Sequence, residues 1–163
     1  MSILEKYTIV EKFGNQLKRK FGQTYLVEEK LTGDRYVLKL IQKNSNYKII
    51  EIRLRQEAKF NFNCLGLPSN LSLLETNEEL CLLRPFIDGV TLDKYWNSLR
   101  KSNRLKFIKS FLEKLNPIFE HMCELGIAHC DIKPSNILIL KNKEDFDIHL
   151  IDFGLALHLK NTE

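Results

Sequence analysis

The stretch that most constrains the fold of this chain is Ile127–Ile139, which reads IAHCDIKPSNILI. Within it Asp131, Lys133 and Asn136 stand at short spacing, and apolar residues flank them on both sides. A polar loop between two buried segments keeps reactive side chains rigid at the protein surface. The sequence HLIDFG begins thirteen residues after Asn136 and carries an apolar strand into Asp152. Two carboxylates and an amide suit Mg²⁺, because this ion prefers oxygen ligands.

Length and composition predict an ordinary globular chain. Its 163 residues suffice for one large domain or two small lobes, and the hydrophobic share of 44% is typical of soluble proteins. No apolar run approaches the ~20 residues that span a bilayer, and the N-terminus has no signal-peptide core. The net charge of +4 is mild, and Lys18–Lys20 is interpreted as a solvated loop. We therefore expect a cytoplasmic protein with neither a membrane nor a nucleic acid as partner.

The cysteine pattern favours reduced thiols. The four cysteines stand at positions 64, 81, 123 and 130 without any CxxC pairing, mostly in apolar surroundings. This pattern favours reduced thiols in a cytosolic protein over zinc ligation or disulfides. We expect buried free thiols.

Hydrophobic periodicity predicts strands first and helices later. The predicted strands are Tyr7–Phe13, Phe21–Val27, Arg35–Ile41, Leu71–Glu75 and Leu80–Phe86, followed by a hairpin of Asn136–Leu140 with Asp147–Ile151. The predicted helices are Lys48–Phe62, a short one around Leu92–Leu99, and Leu105–Leu125. The apolar stripe of the last helix is interpreted as core.

Lys39 stands alone inside the apolar run RYVLKLI. A lysine in such a strand is costly unless its ammonium group has a partner. Glu51 and Glu57 on the following predicted helix are the candidate partners.

The two motifs together resemble those of the eukaryotic-type Ser/Thr protein kinases. HCDIKPSN stands where that family has its catalytic loop, H-R-D-x-K-x-x-N, and DFG matches its metal-binding turn. The likeness runs along nearly the whole chain in the family's order. It implies an α+β, two-lobe fold, with an antiparallel sheet and one helix in residues 1–86 and a mainly helical, incomplete lobe in residues 87–163. The implied activity is ATP-dependent phosphoryl transfer to Ser/Thr hydroxyls of a protein substrate.

The resemblance also implies catalytic roles. Asp131 would accept the proton of the substrate hydroxyl, and Lys133 would neutralise charge on the transferring phosphoryl group. Asn136 and Asp152 would hold Mg²⁺. Lys39 would grip the α- and β-phosphates of ATP, and Glu57, eighteen residues later, would orient it, with Glu51 as the fallback.

Further positions are implied for the nucleotide. The adenine would lie between Thr24 and Val37 on one side and Leu138 on the other. The Pro85 carbonyl and the Ile87 N–H would meet its edge. The remaining implied nucleotide-binding positions belong to the glycine-rich loop and are Gly14 and Gly22.

The sequence departs from the family in four places. Gly14 and Gly22 are eight residues apart, with Arg19 where the middle glycine belongs, so the loop is looser or uses cationic side chains. Cys130 replaces the arginine that usually pairs with an activation-loop phosphate, which predicts that a phosphate switch is absent. Arg84 stands at the gatekeeper position. Asn61 stands where an apolar residue would stack toward Phe153.

The sequence given stops nine residues after Gly154, before any activation segment. We expect a fragment, a minimal kinase or one half of a split enzyme, with apolar surface exposed around the Leu105–Leu125 helix. That surface predicts self-association or a covering partner. Two alternative functions stay open: a pseudokinase that binds nucleotide or other proteins, and a small-molecule kinase. Lys133 opposes the latter, because such kinases typically carry histidine there.

Overall fold

The computed structural model describes residues 2–13, 22–43, 48–62, 64–143 and 145–159. Gly14, Arg19 and the Lys18–Lys20 run lie outside these residues. The chain divides into two compact units, the first formed by Met1–Asn61 with Ser69–Phe86, and the second by Phe62–Pro68 with Ile87–Glu163. The sequence-based division kept residues 62–68 in the first lobe, whereas the structure groups them with the second unit. Backbone bonds explain this grouping, because the N–H of Leu150 donates to the Gly66 carbonyl at 2.8 Å.

The first unit is built on one antiparallel sheet. Its five strands run in the order β1-β2-β3-β5-β4. They are β1 Tyr7–Phe13, β2 Gln23–Glu29, β3 Arg35–Gln42, β4 Ser72–Glu75 and β5 Glu79–Pro85. A 3-10 turn, Ile3–Lys6, precedes β1. The predicted antiparallel N-terminal sheet is confirmed, with strand ends shifted by no more than two residues.

Strand β5 is buried on both faces of the sheet. Side chains alternate along a strand, so Cys81 and Leu83 join one apolar cluster, while Leu80 and Leu82 join another. The second cluster also contains Leu54 of the adjacent helix. Because both faces are covered, β5 is a nearly continuous apolar run, and it fixes the strands beside it.

Helix α1, Lys48–Glu57, is shorter than the predicted Lys48–Phe62. It ends because the N–H of Phe60 turns back to the Glu57 carbonyl at 3.1 Å, and Phe60 is then buried. The Asn61 side chain accepts a hydrogen bond from the N–H of Leu71, just before β4, at 3.4 Å. The buried residues of α1 are Leu54 and Glu57.

The second unit combines two helices with short strands. The helices are α2 Leu92–Ser98 and α3 Arg104–Glu124, and the strands are β6 Val90–Thr91, β7 Ile127–Ala128, β8 Ile137–Lys141, β9 Phe146–Leu150 and β10 Leu157–His158. The 3-10 turns are Lys101–Asn103 and Pro134–Asn136. The predicted hairpin of β8 and β9 is confirmed. Strand β6 pairs with β8, and β10 pairs with β7. These two-residue strands are too short for a periodic signal.

Helix α3 is apolar on more than its buried face. Phe107, Leu115, Ile118 and Met122 are buried, whereas Leu105, Ile108, Leu112 and Leu125 are exposed. The prediction that the whole stripe is core is therefore wrong for those four positions, and the expected exposed apolar surface is present on this helix. None of the helices among the described residues is long and apolar enough to cross a membrane.

All four cysteines are free thiols, as predicted, but their burial differs. Cys81 is buried within the sheet, and this burial raises its pKa to about 12. Cys64 is half-buried, and Cys123 and Cys130 are exposed. The expectation of uniformly buried thiols is wrong for the last two, because Cys123 lies on the outer side of α3 and Cys130 lies in a loop.

Candidate active site

The first unit forms a buried ion pair between Lys39 and Glu57. The Lys39 ammonium group donates to both carboxylate oxygens of Glu57, at 2.8 and 2.6 Å. Lys39 lies in the middle of β3, opposite Thr24 on β2 and Leu82 on β5. Glu57 is only 3% exposed, so its charge depends on this lysine. The structure selects Glu57, since Glu51 instead receives a bond from Arg55 at 2.9 Å.

A second set of charges ties α1 to the edge of the sheet. Arg55 donates from Nη1 and Nη2 to the two oxygens of Glu75 on β4, at 3.0 and 2.7 Å. Lys43 contacts the same carboxylate at 2.5 Å. Hydrogen bonds from Arg55 and then from Lys43 lower the pKa of Glu75 to about 2. Because Arg55 is two residues before Glu57, this network anchors the turn of α1 that carries the buried carboxylate.

In the second unit, the loop between β7 and β8 arranges donors around Asp131. The Lys133 ammonium group donates to Oδ2 of Asp131 at 2.6 Å. The Asn136 amide donates to the same oxygen and to the Asp131 carbonyl, both at 3.0 Å. Asn136 is 5% exposed, whereas the Asp131 side chain is 28% exposed. The loop thus presents a carboxylate that is held through one oxygen while the group remains open to solvent.

His129 connects this loop to the segment that carries Asp152. Its Nδ1 accepts a hydrogen bond from the N–H of Asp131 at 3.2 Å, so Nε2 carries the proton and donates to the Ile151 carbonyl at 3.2 Å. The ring packs 4.4 Å from the ring of Phe153. Burial lowers the pKa of His129, which keeps the imidazole neutral. His129 was not among the predicted site residues, although its place two residues before Asp131 was the available signal.

The backbone at the site is left-handed at two non-glycine residues. Cys130 has a φ of 61° and Asp152 has a φ of 69°. Such conformations cost about 1–3 kcal/mol each and persist where surrounding bonds over-determine them. One such bond lies next to Asp152, where the N–H of Ile151 donates to the Asn136 carbonyl at 3.0 Å.

Phe153 is fully buried between two rings of the second unit. One is His129, and the other is Phe62, whose centroid lies 5.4 Å away. From the sequence, Asn61 was predicted at the position facing Phe153. The structure places an aromatic residue there, one position later in the chain, because α1 ends early and the backbone turns.

The predicted Mg²⁺ ligands of the second unit are chemically suitable. The Asn136 Nδ2 donates to Asp131, so the oxygen Oδ1 is the amide atom that can ligate a cation. Together with the Asp152 carboxylate it offers the hard oxygen donors that Mg²⁺ prefers. The described residues contain no cluster of three or more His, Cys, Asp or Glu suited to a metal ion. The role of Asn136 and Asp152 therefore stays a prediction.

The nucleotide positions predicted in the first unit lie on its sheet. Thr24 and Val37 stand on the neighbouring strands β2 and β3, and Pro85 ends β5. Gly22 has a φ of +78°, and a Cβ there would come within 2.8 Å of the Ile41 side chain. The packing of β2 on β3 thus explains this glycine without any ligand. Gly14 lies outside the described residues.

Two further nucleotide positions belong to the second unit. Ile87 is half-buried just before β6, and its carbonyl accepts the N–H of Gly89 at 2.9 Å. Leu138 is buried on β8, opposite Thr91 and His149. Their contact with adenine stays a prediction.

Comparison with known proteins agrees with these features. The family model of the protein kinase domain matches residues 7–163. Calcium-dependent protein kinase 25 of Arabidopsis thaliana is 28% identical over 170 residues, which covers 98% of this chain and 31% of that protein. A probable serine/threonine-protein kinase of Dictyostelium discoideum is 28% identical over 142 residues, covering 85% of this chain and 30% of its own length.

A third relative is myosin light chain kinase family member 4 of Homo sapiens, 28% identical over 149 residues, with 88% of this chain and 37% of that protein covered. The chain spans about a third of the length of these curated relatives. The family match extends over both units and includes every described residue of the loop around Asp131. This chain belongs to the protein kinase domain family.

Proposed function

We propose that this chain transfers the γ-phosphoryl group of ATP to Ser or Thr hydroxyls of a protein substrate. The observation that carries the proposal is the arrangement around Asp131. Oδ2 of Asp131 accepts hydrogen bonds from the side chains of Lys133 and Asn136. Oδ1 of Asp131 accepts no hydrogen bond from the described residues, so this oxygen can accept a proton from a substrate hydroxyl.

The proposed reaction uses the residues of this loop directly. As the hydroxyl oxygen bonds to the γ-phosphorus, its proton passes to Oδ1 of Asp131, and the bond from phosphorus to the β–γ bridging oxygen breaks. Lys133 places a cation beside the reacting group. His129 is a positioning residue, since it holds the Asp131 N–H and does not touch the reacting atoms.

Nucleotide and metal would be held by the remaining predicted residues. In the first unit, Lys39 would bind phosphate oxygens while Glu57 keeps its ammonium group in place. In the second unit, Asn136 and Asp152 would hold Mg²⁺. When bound, this ion neutralises charge on the phosphates.

Control of the activity follows from two further features. Cys130 is an exposed thiol and offers no cation to a phosphorylated loop, so we expect activation through a partner or self-association. The surface predicted for that contact includes Leu125, which is exposed at the C-terminal end of α3. A cytoplasmic location is part of the same proposal.

The test combines binding and turnover. Isothermal titration calorimetry with Mg·ATP is run beside transfer from labelled ATP to a Ser/Thr-containing protein, with and without candidate partners. Asp131→Asn should leave ATP affinity nearly intact and reduce transfer by about 10²–10⁴-fold, because it removes the general base. Asp147→Asn on β9 is the matched control and should retain transfer.

Three results would overturn the proposal or its assignment of the base. Failure to bind Mg·ATP at millimolar concentration would remove the nucleotide-dependent functions altogether. Binding without transfer under every partner condition would identify a pseudokinase. Full transfer by Asp131→Asn would show that another group accepts the proton.

A further inference from the structure

The positive charge of this chain is concentrated in one short segment of the second unit. Residues 94–112 contain six of the 25 Lys and Arg residues and none of the 21 Asp and Glu residues. The six are Lys94, Arg100, Lys101, Arg104, Lys106 and Lys109. They lie on α2, on the 3-10 turn Lys101–Asn103 with the residue before it, and on the first two turns of α3. We call these six residues, with the three apolar residues described below, the basic face.

Carboxylates adjoin these cations at the two ends of the segment, where Asp93 precedes Lys94 and Glu113 follows Lys109 by four residues. Among the residues that the structure describes, none of the six lies within 4.0 Å of an Asp or Glu oxygen. Five are exposed, and the sixth, Arg104, stacks on the ring of Trp96 at 4.6 Å. Their charge is therefore directed at solvent, where it can attract an acidic partner over about one Debye length.

An apolar stripe runs through the same surface. Leu105, Ile108 and Leu112 are 79%, 41% and 50% exposed. Their i, i+3, i+7 spacing puts them on one side of α3, and at 1.5 Å per residue the stripe is about 10 Å long. Lys109 follows Leu105 by four residues and so lies beside it on the helix surface. Apolar anchors flanked by cations form an amphipathic contact surface.

The basic face is connected to the loop that carries Asp131. Helix α2 packs against the 3-10 turn Pro134–Asn136 and against β8. The Asn136 amide of that turn bonds to Asp131. A protein held on the basic face is thereby bound by the same unit that carries the proposed base.

We propose that the basic face docks an acidic amphipathic segment of the protein substrate. This inference rests on the proposed function and adds the chemical class of the substrate. Two helical turns of apolar side chains with flanking Asp or Glu would match the three exposed anchors and the surrounding cations.

The rest of α3 disfavours a membrane as the occupant. Glu113, Glu120 and Glu124 follow on the same helix and are exposed. A bilayer lying along α3 would meet all three carboxylates, whereas a protein segment two turns long would end before Glu120 and Glu124. The finite length of the basic face thus favours a peptide over an anionic surface.

Docking is tested first without nucleotide, so that it does not depend on catalysis. The probe is a fluorescein-labelled synthetic helix with Leu at i, i+3 and i+7 and Glu at the flanking positions, and its Kd is measured by fluorescence anisotropy. Lys109→Glu should weaken binding at least about tenfold, because it puts like charges in contact. Leu105→Ser should also weaken binding, and this loss should change less with salt concentration than the loss in Lys109→Glu. Lys143→Glu, an exposed residue outside the basic face, is the matched control and should bind like the wild type.

Transfer is then measured on two peptides that carry the same Ser, one with the acidic segment and one with Gln in place of Glu. The acidic peptide should have the lower KM, and Lys109→Glu should remove the difference while leaving kcat unchanged.

Equal losses in Lys109→Glu and Lys143→Glu, or equal binding of a scrambled acidic peptide, would overturn the docking site. Vesicles with anionic lipid, or a second copy of the chain detected by light scattering, would overturn it if either binds the basic face and the peptide does not. Docking without transfer under every partner condition used for the proposed function would refute that function and, with it, the assignment to a substrate.

Discussion

The two units hold their functional side chains in place by different means. In the first, Lys39 and Glu57 project from a regular strand and a regular helix, and the pair is fixed by the pairing of β3 with its neighbours. In the second, Asp131 lies in irregular backbone, next to Cys130 with its φ of 61°. That loop is held by hydrogen bonds from individual side chains, notably those of His129 and Asn136.

The difference determines how each region tolerates change. A strand position is specified by many equivalent backbone bonds, since a register slip of one residue would move every side chain to the other face. A loop position depends on a few particular groups, so one substitution can release it. We therefore expect the loop to be sensitive at residues without catalytic chemistry, and the ion pair to be sensitive mainly at its own two members.

The largest effect is expected at His129. His129→Ala removes a buried ring that contacts Phe153 and leaves the Asp131 N–H and the Ile151 carbonyl without their partner. We expect the free energy of unfolding to fall by about 3 kcal/mol, from lost packing together with unsatisfied polar groups. Urea denaturation measures this loss. His121→Ala, whose side chain on α3 is 41% exposed, is the control, and an equal loss there would contradict the special role of the loop.

The same residue predicts a pH dependence. Burial lowers the pKa of folded His129 below the ordinary 6.5, so the unfolded chain binds the extra proton first. Stability should fall as pH decreases from about 6.5 toward the folded pKa, and be unaffected by this group above 6.5. His129→Ala should lack this component of the pH profile.

A smaller loss is expected at the ion pair of the first unit. Lys39→Met keeps the length of the side chain but leaves Glu57 buried without its cation. Removing one member of a fully buried pair costs ~3–5 kcal/mol, and we expect about 2 kcal/mol here because Lys39 is 22% exposed. Thermal unfolding checks this loss, with the exposed Lys6→Met as control.

Much of the fold follows from sequence patterns, and the failures have local causes. The alternation around Lys39 and the apolar run of β5 predicted the sheet, because long strands carry many periodic residues. The end of α1 was predicted five residues late, since the apolar residues at 60 and 62 continue a plausible pattern while tertiary contacts turn the chain. The exposure of Leu105 was not apparent from periodicity, which identifies an apolar face but not what covers it.

Some features of the candidate site could likewise be predicted from the sequence, and others could not. Asp131, Asn136 and Asp152 were predicted as site residues because their residue types and spacing are unusual, and their roles stay predictions. Lys39 within an apolar strand predicted a carboxylate partner on the following helix, and the family resemblance favoured Glu57 over Glu51, which the structure confirms. The choice of Oδ2 over Oδ1 as the bonded oxygen of Asp131 depends on side-chain torsions that no pattern encodes. The Arg55 network was missed for another reason: its partners Glu51, Glu75 and Lys43 are ordinary surface charges until the fold brings them together.

That network gives the smallest predicted effect and the sharpest test of how α1 is held. Bonds from Arg55 and Lys43 lower the pKa of Glu75 from 4.5 to about 2, so its stabilising contribution is present above pH 4.5 and is lost as pH falls toward 2. Glu75→Gln should therefore melt slightly below the wild type at pH 7, with the difference in Tm closing between pH 4.5 and about 2 and shrinking in high salt. Arg55→Met should match Glu75→Gln, whereas Arg53→Met, the neighbouring exposed arginine, should match the wild type.

If the network also positions Glu57, Arg55→Met should weaken Mg·ATP binding in calorimetry and Arg53→Met should not. Equal behaviour of the two arginine variants would show that the sheet register and the Lys39–Glu57 pair hold α1 without help from its outer face.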